Sequence, residues 1–301
     1  MPAPLHGELQ PRFFRFKLGD FEVTPIMDSK VIRAGLTPSF GGEAQANEIK
    51  ALAKANRIEA DRYQHPFSPI LVNTGRELVL FDTGNGALSA EHEQLKGRLP
   101  PGELVARMAE AGYKPEDVDL VVITHGHPDH IGGLTKGGQP VFPNARYAFG
   151  AADYDFWQKG ENVREARKFN RELYVKIMTP LAGRASMIKP GDTVASGITA
   201  VDAFGHSPGL LAFHIESAGK RLLNWADTAN HYVVSVQRPD IHLDVDDDKD
   251  KAVATRKRIL EMAASEGFPV IGYHLPFPGI GYVERSGNGF RWIAHGYQLY
   301  L

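Results

Sequence analysis

His125-Gly126-His127-Pro128-Asp129-His130 follows the apolar run Leu120-Val121-Val122-Ile123 and precedes Ile131-Gly132-Gly133. A short apolar run of this kind reads as a buried strand, so four potential metal ligands stand at its mouth within six positions. No apolar core calls for three imidazoles and a carboxylate so close together, whereas a metal-bound water does. His125 and His127, two apart on an extended segment or tight loop, can face one side and share a cation. Asp129 and His130 lie just beyond, where the chain turns toward a helix and aims at a second cation. Pro128 stiffens the loop, and Gly132 and Gly133 allow the backbone to approach closely.

Three or four ligands do not complete a two-metal site, so the remainder of the chain should supply others. His206 lies in Gly205-His206-Ser207-Pro208-Gly209, after an expected strand over 198–204. Asp227 ends an apolar strand over 222–226, where a carboxylate can bridge two cations. His274 follows Val270-Ile271-Gly272-Tyr273. Taken singly, a strand-end His or Asp is a turn or capping residue. Their shared placement at strand ends, like that of His125, is the reason to expect convergence. His6, His92, His214 and His242 read as incidental, and His65 and His231 are left without a role. The acidic run 244–250 lacks the glycine and terminal Glu of a calcium loop and reads as a solvated approach to a helix.

Composition permits this chemistry. The chain has 301 residues, 43% hydrophobic and 23% charged, as expected of a globular protein with a sizeable core. Cysteine is absent, which removes thiolate ligands and thiol nucleophiles, so any metal rests on nitrogen and oxygen. No nucleophile-elbow motif supports a serine triad. A net charge of -2 gives no general attraction for nucleic acid or acidic membrane. Residues 1–10 lack the apolar stretch of a secretory signal and no segment is long enough to span a bilayer, so a cytoplasmic location is expected. Residues 1–12 read as a tail and 13–301 as a single domain.

Strand signals are expected over 69–72, 77–81, 118–124, 145–149, 198–204, 210–215, 222–225, 269–273 and 290–293, with a hairpin over 13–26. Helices are expected near 49–58, 103–111, within 151–177 and over 249–266; residues 34–46 read as a loop. One echo stands out. Residues 70–83 and 213–228 each read as a strand, a glycine turn with a basic residue, a second strand and then Asp-Thr. Two halves built alike suit a sandwich of two sheets with helices outside.

His125-x-His127-x-Asp129-His130, followed in order by His206, Asp227 and His274, resembles the metallo-β-lactamase superfamily of binuclear metallohydrolases. Asp82-Thr83-Gly84 resembles its first motif. Residues 18–24, 71–75, 153–157 and 274–281 further resemble the methyl parathion hydrolase and lactonase-like group. The resemblance implies an α/β, αββα four-layer sandwich with the site at one edge of the sheets. It implies that His125, His127 and His206 hold one metal, that Asp129, His130 and His274 hold the other, and that Asp227 bridges. Asp82 would support an imidazole from behind. It also implies a homodimer, and a substrate pocket near Trp157, Asn230 and Tyr232. Leu210 replaces a second His found in many members, and Ala226 replaces the usual Gly before the bridging Asp. Asn230 stands where homoserine-lactone lactonases carry a Tyr, with Tyr232 out of register; no aromatic wall residue is matched near Leu88.

Two divalent cations bring a shared water from a pKa of about 15.7 to near neutrality. Zinc is the expected metal, with manganese, cobalt and iron as alternatives. With two carboxylates and a bridging hydroxide the site carries a charge of about +1, suited to a developing oxyanion. The hydroxide is expected to attack a small, largely neutral ester, lactone or phosphotriester while Asp129, the catalytic residue, orients it. A true β-lactamase is disfavoured by the bridging Asp227, and a di-iron reductase by His at 127. A nuclease is disfavoured by the acidic net charge. A glyoxalase-II-like thioesterase and a non-catalytic metal-binding or sensing module are the alternatives.

Overall fold

Leu120–Ile123 is buried at every position, and so is its neighbour Leu78–Phe81. The two run parallel, and parallel strands covered on both faces are expected to be apolar throughout. They form the middle of a seven-stranded sheet in the order Phe16–Leu18, Phe21–Pro25, Ile70–Asn73, Leu78–Phe81, Leu120–Ile123, Arg146–Gly150 and Ala185–Ile188. A second seven-stranded sheet follows the order Thr193–Ala195, Ile198–Asp202, Leu211–Ser217, Lys220–Ala226, Val270–Gly272, Ile280–Ser286 and Gly289–Ala294. This is a computed structural model, which describes residues 2–301.

The inner faces of the sheets pack together through residues such as Val79, Phe81, Val122, Phe213 and Ile271. The rings of Phe81 and Phe213 meet at 5.0 Å across this layer. The outer face of the first sheet is covered by the helices Leu104–Glu110, Ala151–Lys159 and Lys168–Met178. The long helix Lys249–Glu266 covers the second through Ile259, Leu260 and Ala263. Helix, sheet, sheet and helix give the αββα sandwich that the sequence motifs imply.

The echoed sequences fold alike. Ile70–Asn73 with Leu78–Phe81, and Leu211–Ser217 with Lys220–Ala226, are antiparallel hairpins. The second strand of each is followed across the sheet by a parallel partner, Leu120–Ile123 in one half and Val270–Gly272 in the other. Parallel neighbours end on the same edge. Asp82, His125, Asp227 and His274 therefore leave the sandwich together, and Ile198–Asp202, antiparallel to Leu211–Ser217, adds His206 to that edge. Ligand sites of α/β sheets form outside the carboxyl ends of parallel strands for this reason.

The sequence reading omits several strands. Ser29–Arg33 and Tyr63–Phe67 pair as a separate two-stranded sheet outside the sandwich. Ala185–Ile188, Thr193–Ala195 and Ile280–Ser286 are also strands, short or half exposed, so their apolar pattern is weak. No helix among the described residues is long and apolar enough to cross a membrane.

Both hairpins end in a left-handed residue, Asp82 at φ 60° and Ala226 at φ 47°. This conformation costs a non-glycine residue about 1–2 kcal/mol, part of which glycine's greater entropy loss offsets. Ala226→Gly should therefore stabilise the metal-free protein by roughly 0.5–1 kcal/mol, read as a raised urea midpoint at constant slope. A lowered midpoint would show that the Ala226 methyl contributes more by packing than its backbone costs.

Candidate metal centre

The loop after Leu120–Ile123 is extended at His127 and then enters a single helical turn, Pro128–Ile131. Gly126 is more than a spacer: a Cβ there would lie 2.3 Å from the Tyr174 ring and 2.8 Å from Trp157 Nε1. The bare backbone lets the loop press against these aromatics, which turns His125 and His127 toward a common point. His125 Nε2 and His206 Nε2 each lie 3.0 Å from His127 Nδ1.

A second group converges beside the first. Asp129 Oδ2 lies 3.7 Å from His130 Nε2 and 3.4 Å from His274 Nε2. Asp227 stands between the groups: Oδ2 is 3.3 Å from His206 Nε2 and 3.0 Å from His274 Nε2, while Oδ1 is 3.4 Å from His130 Nε2. Three sets have donor atoms within 4.8 Å of one another: His125, His127 and His206; His125, His130 and Asp227; and Asp129, His130 and His274.

Each imidazole is fixed from behind. His130 Nδ1 bonds Asp82 Oδ2 at 2.8 Å, and Asp82 also accepts from the Thr124 amide and hydroxyl. His125 Nδ1 meets Thr124 Oγ1 at 3.1 Å. His206 Nδ1 bonds Asp246 Oδ1 at 2.9 Å, His127 Nε2 bonds Asp247 Oδ2 at 3.2 Å, and His274 Nδ1 bonds the Pro66 carbonyl at 2.8 Å. Such partners fix the ring orientation and leave the inward nitrogen as an acceptor. Among the described residues, His130 Nε2 and Asp227 Oδ1 are buried without a hydrogen-bond partner. Orphaned acceptors in a closed nitrogen and carboxylate set fit a divalent cation, and zinc in particular.

The protonation pattern without cations follows from burial and charge. Burial, then Arg167, pushes His127 down to about 4, and burial likewise pushes His125 well below its usual range. For His206, burial opposes the charge, but hydrogen bonds to Asp227 and Asp246 outweigh it and raise the imidazole to about 9. For His274, burial is outweighed mainly by Asp227, again to about 9. His130 is raised as well, by Asp227, Asp82 and Asp129 against burial. Burial would raise Asp129 and Asp227, but the surrounding imidazoles hold both below the usual carboxylate range.

Several supporting residues escape a sequence reading. Asp246 and Asp247 come from the acidic run expected to be solvated, yet their side chains are 0% and 6% exposed. Asp246 also pairs at 2.9 Å with Arg256, a buried guanidinium that further binds the carbonyls of Thr228, Pro239 and Ile241. Arg164 and Arg167 hold Asp247. Asp153, pushed up to about 7 by burial, accepts from Ser207 Oγ and faces the Gly126 amide, so it joins the two ligand loops. The one signal in the sequence was Arg256 on the buried face of an amphipathic helix, a cation that needs a buried anion.

Above the cluster lies a cavity of about 320 Å³. Asn230 lines it and donates from Nδ2 to Asp227 Oδ2 at 2.9 Å. Trp157 and Tyr232, expected in the pocket, do not line it. Trp157 is buried behind the loop, stacked on Tyr174 at 5.8 Å, because the open backbone of Gly126 admits its ring there. Tyr232 stacks on His231 at 4.9 Å and borders a separate surface hollow. Leu88 is core. The aromatic wall comes instead from Phe40, Tyr63, His65 and Phe67. The alternation of Tyr63, His65 and Phe67 is a strand signal that Pro66 obscures.

Residues 68–266 match the family model described as the metallo-beta-lactamase superfamily, and the chain belongs to that superfamily. A probable metallo-hydrolase of Mycobacterium tuberculosis is 29% identical over 180 residues, 54% of this chain and 56% of that protein. The chain thus spans little more than half the length of this curated relative. Among solved structures, AidC, a dizinc quorum-quenching lactonase, is 28% identical with a TM-score of 0.86, over 95% of this chain and 98% of that one. AbOPH, a hydrolase of the beta lactamase superfamily, is 25% identical with a TM-score of 0.85, over 97% and 100%.

Two predictions arise from the geometry. Zinc must displace protons from the raised imidazoles, so binding to metal-free protein at pH 7 should release protons and tighten as pH rises from 6 toward 9. Calorimetry in buffers of different ionisation enthalpy reads this directly, and a pH-independent affinity would contradict it. Asp246→Ala should lower unfolding stability by about 3–5 kcal/mol, because it leaves Arg256 buried and unpaired. A loss under 1 kcal/mol by urea titration would contradict the pairing.

Proposed function

We propose that the chain is a binuclear metal-dependent hydrolase of small carboxylic esters or lactones. The observation that carries this reading is the position of Asp227 between two imidazole groups, one carboxylate within reach of both. His125, His127 and His206 would hold one cation, and Asp129, His130 and His274 the other, with Asp227 shared. When bound, the cations lower the pKa of a water toward neutrality and polarise the carbonyl under attack.

The chain's own residues do the remainder. The Asp129 carboxylate, 16% exposed against 3% for Asp227, is the more open to the cavity of the two candidate ligand carboxylates. It orients the attacking water and takes up its proton. Tyr273 donates to the Asp129 backbone carbonyl at 2.7 Å, which holds the turn that carries the carboxylate. Asn230 secures Asp227 and so does not act as the Tyr does in homoserine-lactone lactonases. Phe40, Phe67, Leu95 and Leu99 wall the cavity, excluding water and strengthening the electrostatics within it.

The likeness to a dizinc lactonase over nearly the whole of both chains supports the lactone half of the proposal. Phosphotriesters and thioesters present a similarly polarised centre and belong in the test panel. Zinc-loaded protein should hydrolyse aryl esters or γ- and δ-lactones, and lose the activity on chelation. His206→Ala should reduce bound metal from two per chain toward one and lower kcat/KM at least a hundredfold. Full metal occupancy in that variant would refute the ligand assignment. A fully loaded protein inert toward the whole panel would favour the non-catalytic module.

A further inference from the structure

The cavity wall carries positive charge that no carboxylate of the protein answers. Outside the ligand set, the cations lining it are Arg33, Arg98 and Arg167. Arg167 is committed, with Nε 3.1 Å from Asp247 Oδ1 and its other end on the Val245 carbonyl. Asp244, the acidic lining residue outside the ligand set, is 72% exposed and lies 3.9 Å from Lys249. Arg33 and Arg98 have no ion pair and no side-chain hydrogen bond among the described residues. Outside the ligand set the wall therefore holds three guanidinium groups against the single carboxylate of Asp244.

The position of Arg33 is set by the hairpin. It pairs across the strands with Tyr63, and directly opposed residues share a face, so Arg33 joins Tyr63, His65 and Phe67 on the cavity side. On the same strand, His65 stacks on His274 at 4.0 Å and Pro66 accepts the His274 Nδ1 hydrogen bond. One hairpin thus orients a candidate metal ligand and, two cross-strand pairs beyond His65 on the same face, presents a half-buried guanidinium. The charge of Arg33 is close enough to help depress His65, after burial and His274. Arg33 is half-buried without a partner, a state that a ligand anion would relieve, while Arg98 is an exposed residue of the same wall.

We propose that the substrate of this site is an ester or lactone bearing a carboxylate on a short apolar chain, with Arg33 and Arg98 holding the carboxylate and the scissile carbonyl over the cluster. This departs from the largely neutral substrate that the sequence suggests, and it rests on the hydrolase reading above. The carboxylate is remote from the bond broken, so its contribution falls mainly on KM.

The test compares 4-nitrophenyl adipate monoester with 4-nitrophenyl heptanoate on the zinc-loaded protein. The anionic ester should have the higher kcat/KM by tenfold or more, an advantage that shrinks as salt is raised. In Arg33→Met the ratio of the two kcat/KM values should fall at least tenfold through the KM of the adipate ester, and Arg33→Lys should restore part of it. Arg98→Met should lower the same ratio. Because the readout is a ratio within one preparation, a partly misfolded variant does not mimic the effect. Equal use of both esters by the wild type, or a ratio unmoved in both Met variants, would overturn the inference while leaving the hydrolase reading intact. Hydrolysis of neither ester, nor of any lactone, would overturn the hydrolase reading and this inference with it.

Discussion

Asp227 is the point at which the two halves of the molecule are tied. Its carboxylate is buried among His130, His206 and His274, which arrive from the first sheet, from the turn after Ile198–Asp202 and from the end of Val270–Gly272. An isolated carboxylate in such a place would be costly. It is tolerated because positive groups surround it, as protons on imidazoles or as cations in their place. The rest of the architecture follows from that requirement. Each imidazole must be turned inward, and Asp82, Thr124, Asp246, Asp247 and the Pro66 carbonyl turn them.

The central parallel strands were legible in sequence because burial on both faces makes them apolar throughout, and strand ends are where side chains can leave a sheet. That logic leads from Leu120–Ile123 to His125, and from the echo at 213–228 to Asp227. What stayed hidden has a common cause. Asp246 and Asp247 sit in a run of acidic residues, and nothing local distinguishes a buried Asp from a solvated one. Their burial depends on Arg256 and Arg167, which reach them only in the folded chain. The hairpin of Ser29–Arg33 and Tyr63–Phe67 pairs segments about thirty residues apart, with a proline in one strand. Trp157 was misplaced for the opposite reason: an aromatic near the ligands in sequence packs behind Gly126, and the cavity wall comes from elsewhere.

The division of labour that results is simple. The sandwich and its strand ends carry the seven candidate ligands, while the outer hairpin, the segment joining its strands, and residues 95–99, 167–170 and 243–245 line the cavity. The hairpin lies outside both main sheets and touches the ligands at His274, through the Pro66 hydrogen bond and the His65 and Phe67 rings, so its remaining surface can vary without disturbing them. On the proposed reading of Arg33, specificity resides in elements that the metal-binding motifs do not contain.

The central claim is that two cations share Asp227. Anomalous diffraction at the zinc edge from zinc-loaded crystals tests it most directly. The account predicts two peaks per chain, one bounded by His125, His127 and His206, the other by Asp129, His130 and His274, with Asp227 bonded to both. A single peak, or a second one away from Asp227, would contradict it.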